Sequence, residues 1–463
     1  PDAGGQASDS RVTVAILPFS ANEALLPKAM AMHDATRQLV DAAYDVRLLD
    51  YAETMLVSSG DLRPDWTIES TFEQVDGQIE AQITVVDIRS SDRIRDTVRA
   101  SMGDTLTMRA LVLASISESL NADRLPKRNS GLTGIVLAAP TNSLEAYDQF
   151  AIGRYHYLKY TDEGLATAIE YFTRATELDP QFGGAFSKLG DAYLLAGSHQ
   201  GFMEPAEAYP KARDALLRAV TLSPDNALAL ASIGDYYACI ESDLELAGRA
   251  FDRALKTQPD LLHTGITRYY MLTGREAEGF ASVERSLAAF PDSNWEQVIA
   301  AHQYLAFGDS KRALELAQAA LDRNDESSEA IFVRSLALAE LGNTGRAIES
   351  FTPLISESRT TPRFKLTYAS LLARDNQVDA ARQMISLARS GGGRVTETHL
   401  AMAYGWLKEA DTAFKWLDKA VASREFGLCY LPFSPLWHPL RDDPRFDRIL
   451  ASRYPNLVAS TSR

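Results

Sequence analysis

The chain has 463 residues, which predicts roughly two to four domains and a sizeable buried core. It carries 47 Lys and Arg against 62 Asp and Glu, a formal net charge of −15. This balance argues against a surface that binds nucleic acid or anionic lipid, so we expect no nucleic-acid binding through this chain. The hydrophobic fraction of 46% is typical of a folded globular protein. No apolar run of about 18 residues is present in the sequence, so we expect no membrane span in this chain.

The sequence starts at Pro1 without Met, and residues 1–10 are small and polar, which is typical of a flexible leader behind a processed or truncated start. The two cysteines, Cys239 and Cys429, are too few for a disulfide scaffold or a zinc site. Two buried free thiols are the favoured interpretation. A long-range disulfide stays open as the alternative if the compartment is oxidising.

Residues 11–124 predict a small α+β domain with the element order β-α-β-β-β-β-α. The first strand falls in residues 12–19, which are rich in β-formers and contain a Pro near the end. A helix is predicted over residues 24–43 from the spacing of its apolar side chains. The Asp76-Gly77 pair tolerates positive φ and predicts a tight hairpin turn.

The strand after that turn gives a less definite pattern. We find no strict alternation that joins Ile79, Ile83 and Val85 with Ala81, so the inner face of this strand stays unassigned at this stage. A third antiparallel strand is expected over residues 93–100, and a closing helix over 105–120.

After a linker at 125–143, strand signals stop and residues 144–428 show the pattern of paired amphipathic helices. A small residue, an apolar residue, Ala and Pro recur with a period of about 34 residues, which is the tetratricopeptide (TPR) spacing. Small residues let two helices approach closely, and Pro ends the second helix of a pair. The first positions of the pattern are Ala168, Ala212, Ala247, Gly279, Ala313, Ala347, Ala380 and Ala413. The predicted fold class is an α+β N-terminal domain followed by an all-α TPR solenoid of about eight helix-turn-helix repeats.

Residues 429–463 are predicted to form a C-terminal cap. A terminal repeat leaves one apolar face without a neighbour, and that face needs a cover. Trp437, Leu440 and Phe446 are the side chains expected to supply it.

Several segments carry a resemblance to known proteins. The opening strand VTVAILPF, DWTIESTF at Asp65–Phe72 and ITVVDIRSSD at Ile83–Asp92 resemble the TolB amino-terminal-like domain. Ser143–Pro180 and Cys429–Leu450 are similar to the repeat start and tail of CadC/ToxR-type regulators and of some adenylate-cyclase-associated TPR proteins. The segment between Tyr51 and Asp65 is shorter than in those proteins, and their winged-helix domain is absent from this sequence.

No catalytic constellation emerges. The sequence has no phosphate-binding GxxxxGK[ST], no HExxH and no GxSxG, and its seven histidines are scattered. The run Gly391–Gly393 lies between predicted helices and is interpreted as a linker. We therefore expect a chain that is not an enzyme and that has no catalytic residue, cofactor or metal site.

A repeat solenoid presents an extended concave face, so the first helix of each pair holds the candidate binding residues. Aromatic side chains there would anchor apolar groups, and Arg would bind carboxylates or carbonyls. The alternative for each residue is core packing or a solvated face. The two carboxylates among the candidates, Asp191 and Asp235, suit a small cationic ligand. The candidates are Tyr147, Arg154, Tyr157, Asp191, Asp235, Arg268, Trp295 and His302.

The resemblance implies a non-enzymatic, extracytoplasmic sensing and protein-interaction module of a membrane-anchored CadC-like transcriptional regulator. It would be periplasmic, tethered by an N-terminal transmembrane helix outside this sequence. It would bind a peptide, protein or small ligand through its TPR groove and interdomain surface, and a homodimer stays open. One alternative is a free-standing TPR scaffold or adaptor of a cell-envelope complex. A second is the accessory half of a cytoplasmic cyclase or kinase.

Overall fold

A computed structural model of the chain divides into two compact units, residues 1–188 and 189–463. The leader at 1–10 and most of the predicted linker at 125–143 lie outside the described residues. The described residues are 11–22, 25–44, 46–49, 54, 57, 62–121, 125, 141–157, 161–198, 201–289, 293–323, 327–356 and 361–455.

The first unit contains a mixed sheet. Among the described residues it has six strands, in the order β3-β1-β4-β5-β6, with β2 paired beside β4. Strand β1 runs parallel to β3 and β4, and the hairpin strands β4, β5 and β6 are antiparallel. The strands are β1 (Thr13–Ile16), β2 (Ser20–Ala21), β3 (Arg47–Leu48), β4 (Trp66–Val75), β5 (Gln78–Asp87) and β6 (Arg93–Ser101).

The β4–β5 hairpin confirms the predicted turn and settles the inner face of β5. Asp76 and Gly77 both have positive φ, 52° and 77°, as a two-residue hairpin turn requires. The prediction that β5 has no strict alternation was wrong, because every second residue of this strand is buried. The buried residues at that spacing are Ile79, Ala81, Ile83 and Val85.

Two helices, α1 (Leu26–Ala43) and α2 (Thr105–Asn121), pack against each other, and α2 packs on β5 and β6. The first helix of the repeat region, α3 (Leu144–Tyr157), also belongs to this unit and packs on α1. The ammonium of Lys28 on α1 lies 2.8 Å from the carboxylate of Asp148 on α3. The predicted α+β arrangement with helices on the sheet is therefore confirmed.

Within the described residues, sixteen helices form eight consecutive pairs, as the repeat period predicts. From α3 to α17, each odd-numbered helix is the first helix of a pair. A π-helical turn, Tyr237–Glu241, extends α7. The remaining helices of these pairs are α4 (Asp162–Leu178), α5 (Gly183–Gly197), α6 (Pro205–Leu222), α7 (Ala227–Tyr236), α8 (Leu244–Thr257), α9 (Thr264–Leu272), α10 (Glu276–Ala289), α11 (Asn294–Ala306), α12 (Ser310–Arg323), α13 (Ser328–Glu340), α14 (Thr344–Ser356), α15 (Pro362–Arg374), α16 (Val378–Ser390), α17 (Glu397–Trp406) and α18 (Ala410–Ser423).

Local chemistry explains both where these helices begin and how closely they pack. Short polar side chains accept hydrogen bonds from backbone N–H groups of the first turn, which otherwise have no partner in the helix. Gly190 and Gly234 permit close helix contact, since a Cβ atom there would lie 2.5 Å from Leu216 and 2.9 Å from Phe251. The capping residues include Thr161, Asn226, Asp243, Ser293, Ser327 and Thr361.

The chain ends in a compact segment, residues 425–454, which we call the tail. Trp437, Leu440 and Phe446 are buried in one hydrophobic cluster with Phe414 and Leu417 of α18. The prediction that these side chains cover the last repeat is confirmed. The tail contains 3-10 turns at Phe426–Tyr430 and Pro435–Trp437, and helices α19 (His438–Arg441) and α20 (Pro444–Arg453).

Candidate functional site on the inner face

In the second unit, first helices of neighbouring repeats contact each other, α7 with α9, α11 with α13 and α15 with α17, and ion pairs join α13 to α15. We call the surface that the first helices present the inner face. It consists of α7, α9, α11, α13, α15 and α17. Opposite charges on this face pair between neighbouring first helices, at sequence separations of 33 or 34 residues. The pairs are Asp235–Arg268, Glu329–Arg363 and Glu340–Arg374.

The Asp235–Arg268 pair is buried and has fork-like geometry. The Nε of Arg268 donates to Oδ1 of Asp235 at 3.2 Å, and its Nη2 donates to Oδ2 at 2.5 Å. Each side chain is about 10% exposed. Two parallel hydrogen bonds of this kind fix both the position and the plane of the guanidinium.

Glu329 lies at the centre of the second polar group. It accepts hydrogen bonds from Arg363 and from Nε2 of His302, the latter at 3.1 Å. Burial alone would raise the pKa of Glu329, but the charge of Arg363 and the His302 hydrogen bond outweigh it and lower the pKa to about 2. Arg363 also stacks over the ring of Phe332, with its guanidinium carbon 4.5 Å from the ring centroid.

The third pair, Glu340 with Arg374, lies on the same face. Arg374 donates to Glu340 and, at 2.7 Å, to the carbonyl of Ala339. Its guanidinium carbon lies 4.1 Å from the ring centroid of Trp406 on α17. Each of the carboxylates Asp235, Glu329 and Glu340 is therefore paired with an Arg side chain of the same chain, and each of these guanidinium groups lies over an aromatic ring.

The tail lies against this inner face as well as on the last repeat. The guanidinium carbon of Arg268 is 5.0 Å from the ring centroid of Phe426, and its Nη1 donates to the hydroxyl of Tyr430 at 3.5 Å. The ring of Phe433 packs edge-on against Phe307, at the end of α11, with centroids 5.3 Å apart. Leu436 packs against the cluster around α13 and lines a small cavity with Leu371, Met402 and Trp406. A segment of aromatic residues, Leu and Pro thus occupies the surface where sequence reasoning placed a ligand.

Charged and polar contacts fix both ends of the tail. Glu425 accepts hydrogen bonds from the backbone N–H groups of Glu397 and Thr398, in the first turn of α17. The Nη2 of Arg394 donates to Glu425 at 3.2 Å, while its Nη1 donates to the carbonyl of Ser198 at 2.7 Å. Burial and the neighbouring carboxyl of Glu397 raise the pKa of Glu425 to about 7.

At the other end, Arg453 and Tyr454 return to the π-helical turn after α7. The Nη2 of Arg453 donates to the carbonyl of Cys239 at 3.0 Å, and the hydroxyl of Tyr454 donates to the carbonyl of Ala238 at 3.2 Å. These carbonyls lie in the last turn of the helical segment, where backbone C=O groups have no partner within the helix and accept from other donors. The tail therefore contacts the inner face from α7 to α17.

Three of the predicted site residues lie in the first unit. Tyr147 is buried, and its hydroxyl donates to the carbonyl of Ala31 at 3.4 Å. Arg154 stacks over the ring of Phe150, with its guanidinium carbon 5.8 Å from the centroid, and the Lys188 ammonium lies 5.5 Å from the ring centroid of Tyr157. The packing interpretation fits Tyr147, while a binding role for the other two stays a prediction.

The other five candidates lie in the second unit and are only partly brought together. Asp191 is half-buried on α5, and Trp295 on α11 is 40% exposed. His302 belongs to the Glu329 group. Asp235 and Arg268 were expected to be available to a ligand, and this is corrected here: they bind each other in a buried pair beneath the tail.

Sequence reasoning missed the partners Glu329, Arg363, Glu340 and Arg374, and it missed the tail as an occupant of the inner face. A signal for the pairs was present, since an acid and an Arg recur one repeat apart on successive first helices. Among the described residues, no three His, Cys, Asp or Glu side chains are grouped as metal ligands. In the same part of the chain, no helix combines the length and the apolar character needed to cross a bilayer.

The family model described as tetratricopeptide repeat matches residues 158–214 and 300–356. The two matched segments are tetratricopeptide repeats, and the other helix pairs have the same helix-turn-helix arrangement. No curated protein matches the chain.

Several solved structures are similar to this chain at low sequence identity. A thermophilic TPR protein of Thermus thermophilus is 19% identical over 42% of this chain and 98% of its own, with a TM-score of 0.35. A TPR protein of Parabacteroides merdae is 12% identical over 59% of this chain and all of its own, with a TM-score of 0.39. Human IFIT1, solved as a dimer with m7Gppp-AAAA, is 14% identical over 68% of this chain and 77% of its own, with a TM-score of 0.44.

Proposed function

We propose that the chain is a non-enzymatic protein-interaction module whose inner face binds an extended segment rich in aromatic residues, Leu and Pro. The observation that carries the proposal is the position of the chain's own segment of this kind. Residues 426–437 lie along the first helices, with Phe426 against Arg268 and Phe433 against Phe307. The tail is the resident occupant, and a partner with similar side chains would compete with it.

The charges of the inner face support an apolar and aromatic partner over a charged one. Asp235, Glu329 and Glu340 each pair with an Arg side chain. A free cation would have to displace a guanidinium that is already hydrogen-bonded and partly buried. Breaking such a buried ion pair is strongly unfavourable in free energy. Aromatic side chains, in contrast, stack on the Arg planes and fill apolar gaps, as anchor residues do at interfaces.

Binding by this mechanism depends on how often the tail leaves the inner face. The apparent dissociation constant for a partner equals its intrinsic value divided by the fraction of chains with an open inner face. A change that weakens tail docking therefore tightens partner binding without touching the partner. The same competition would let a partner's arrival be sensed as release of the tail.

The test uses the full chain and a fluorescein-labelled peptide of residues 426–437, with Ser in place of Cys429 to avoid oxidation. Phe433→Ala weakens tail docking and leaves the inner face intact, so peptide affinity measured by fluorescence anisotropy should rise at least tenfold over wild type. Leu387→Ala, at a site 43% exposed, is the control and should leave the affinity unchanged. Absence of peptide binding to both wild type and Phe433→Ala would contradict the proposal, as would equal affinities.

The finer part of the proposal concerns cellular context. CadC/ToxR-type regulators resemble this chain in the opening strand, the repeat start and the tail. This resemblance supports a periplasmic sensing module tethered through its amino terminus. Intact mass of the native gene product, combined with membrane and periplasmic fractionation, tests this. A heavier, membrane-retained species supports the tethered sensor. A soluble periplasmic species points to the free-standing scaffold, and a cytoplasmic fusion points to the accessory half of a cyclase or kinase.

A further inference from the structure

The two cysteines of the chain come together where the tail meets the inner face. Cys239 lies in the π-helical turn that extends α7, and Cys429 lies in the 3-10 turn Phe426–Tyr430 of the tail. These two turns pack against each other, and both cysteines are fully buried in the same hydrophobic cluster. Residues 190 positions apart in the sequence are thus neighbours in the fold.

The thiol of Cys239 also has polar neighbours. The thiol of Cys239 donates to Oδ1 of Asp235 at 3.3 Å, and the thiol of Cys429 lies near enough to raise the pKa of Cys239. Asp235 is held in turn by Arg268. Two buried cysteines on turns that pack against each other, one in the tail and one on the repeat framework, are an arrangement from which a disulfide can form.

We propose that Cys239 and Cys429 are a redox site at which a disulfide fixes the tail covalently on the inner face. The oxidant is a small-molecule disulfide such as glutathione disulfide. The thiolate of one cysteine attacks a sulfur of this disulfide, which forms a mixed disulfide and releases one thiolate. The second cysteine then attacks the protein sulfur of the mixed disulfide and expels the second small thiol. Two protein thiols and one small disulfide thus become one protein disulfide and two small thiols.

Burial makes this reaction depend on tail opening. Desolvation, the neighbouring Cys429 thiol and the Asp235 carboxylate all raise the pKa of Cys239, so its reactive thiolate is disfavoured while the tail is docked. Oxidation then proceeds through chains whose tail has opened and closed again. Phe433→Ala, which weakens docking, should accelerate disulfide formation several-fold.

The test incubates the full chain in glutathione redox buffer, then alkylates the remaining thiols and measures intact mass and peptide maps. We expect the loss of two hydrogens, a cross-linked peptide that joins Cys239 to Cys429, and reversal by dithiothreitol. Cys429→Ser should form no intramolecular link and should take up at most one glutathione, on Cys239. Oxidised wild type should also show tail amide exchange slowed at least tenfold, and the Cys239→Ala/Cys429→Ala variant should show no redox dependence.

Free thiols or separate glutathione adducts on both cysteines would overturn the proposal. To exclude mere lack of access, the incubation is repeated in urea below the unfolding transition, followed by removal of urea. Thiols that stay unlinked under both conditions show that the sulfurs do not bridge. Mass spectrometry needs no partner, so this result is independent of whether the inner face binds the tail peptide.

Discussion

Arg268 donates two hydrogen bonds to the carboxylate of Asp235, one repeat earlier, beneath the tail. This pair joins α7 to α9 and also supports the tail, because Arg268 contacts Phe426 and Tyr430. If either side chain of the pair were removed, the other would be a buried charge without an ionic partner. The pair therefore couples repeat packing to tail docking.

Removing one member of the pair should destabilise the second unit strongly. Asp235→Asn or Arg268→Met should each lower the free energy of unfolding by about 3 kcal/mol, since each leaves an uncompensated buried group. The double variant should cost less than the sum of the two. Urea unfolding of all four proteins measures the coupling. The exposed pair Arg249–Glu245 is the control and should contribute less than about 1 kcal/mol; additive losses at 235 and 268 would contradict the account.

The pH dependence of stability should reflect two opposed groups at the start of α17. Burial, with the charges of Arg363 and Arg394, lowers the pKa of His399 to about 3, while the pKa of Glu425 is raised to about 7. His399 contributes stability that is present above its unfolded pKa, about 6.5, and lost as pH falls toward 3. Glu425 contributes stability that is present below its unfolded pKa, about 4.3, and lost as pH rises through 7. The two effects offset each other between about pH 4.5 and 6.5.

Single substitutions should expose each effect. His399→Gln should gain stability relative to wild type as pH falls from 7 to 5, by up to about 1.4 kcal/mol per pH unit. Glu425→Gln should lose stability relative to wild type over the same interval. Urea midpoints at several pH values measure both. Parallel pH profiles for the variants and wild type would contradict the assignment.

The tail should be required for stability. Trp437→Ala removes a side chain that is 2% exposed and should cost about 3–5 kcal/mol, through lost burial and the cavity left behind. Deletion of residues 429–463 should lower both the melting temperature and solubility, because the last repeat then exposes its apolar face. Thermal unfolding of both variants, with Leu387→Ala as an exposed control, measures the effect. A truncated chain that melts with the intact one would show that the tail is not a cap.

Helices approach each other closely at Gly190 and not at Gly345, so replacement by Ala should destabilise the protein at the first position and be tolerated at the second. Gly190→Ala places a Cβ atom 2.5 Å from Leu216 and should cost about 1–3 kcal/mol. Gly345→Ala, in α14, meets no atom within 4 Å and should be neutral or stabilising by up to about 1 kcal/mol. Chemical denaturation compares the two. Equal effects at both positions would contradict the packing argument.

The sequence predicted the repeats well because helix pairing imposes a local period. The Ala168, Ala212 and Ala247 positions are all fully buried, and the Asp76-Gly77 turn was predictable from backbone preference alone. The pairing of Glu329 with Arg363 was not predicted, since it depends on the relative rotation of two helices that sequence spacing does not specify.

The path of the tail was predicted only in part. The large apolar side chains Trp437, Leu440 and Phe446 indicated a cover for the last repeat, which is a neighbour in sequence. The contact of Phe433 with Phe307, and the packing of the Cys429 turn against the Cys239 turn, join segments more than 120 residues apart and have no local pattern to reveal them.

The most direct test of the account is amide hydrogen exchange of residues 426–437 in the full chain, followed by mass spectrometry. We predict protection comparable with that of α17, and at least tenfold faster exchange in Phe433→Ala, because docking on the inner face holds these backbone groups. Exchange in the wild type at the rate of an unstructured peptide would contradict the claim that the tail occupies the inner face.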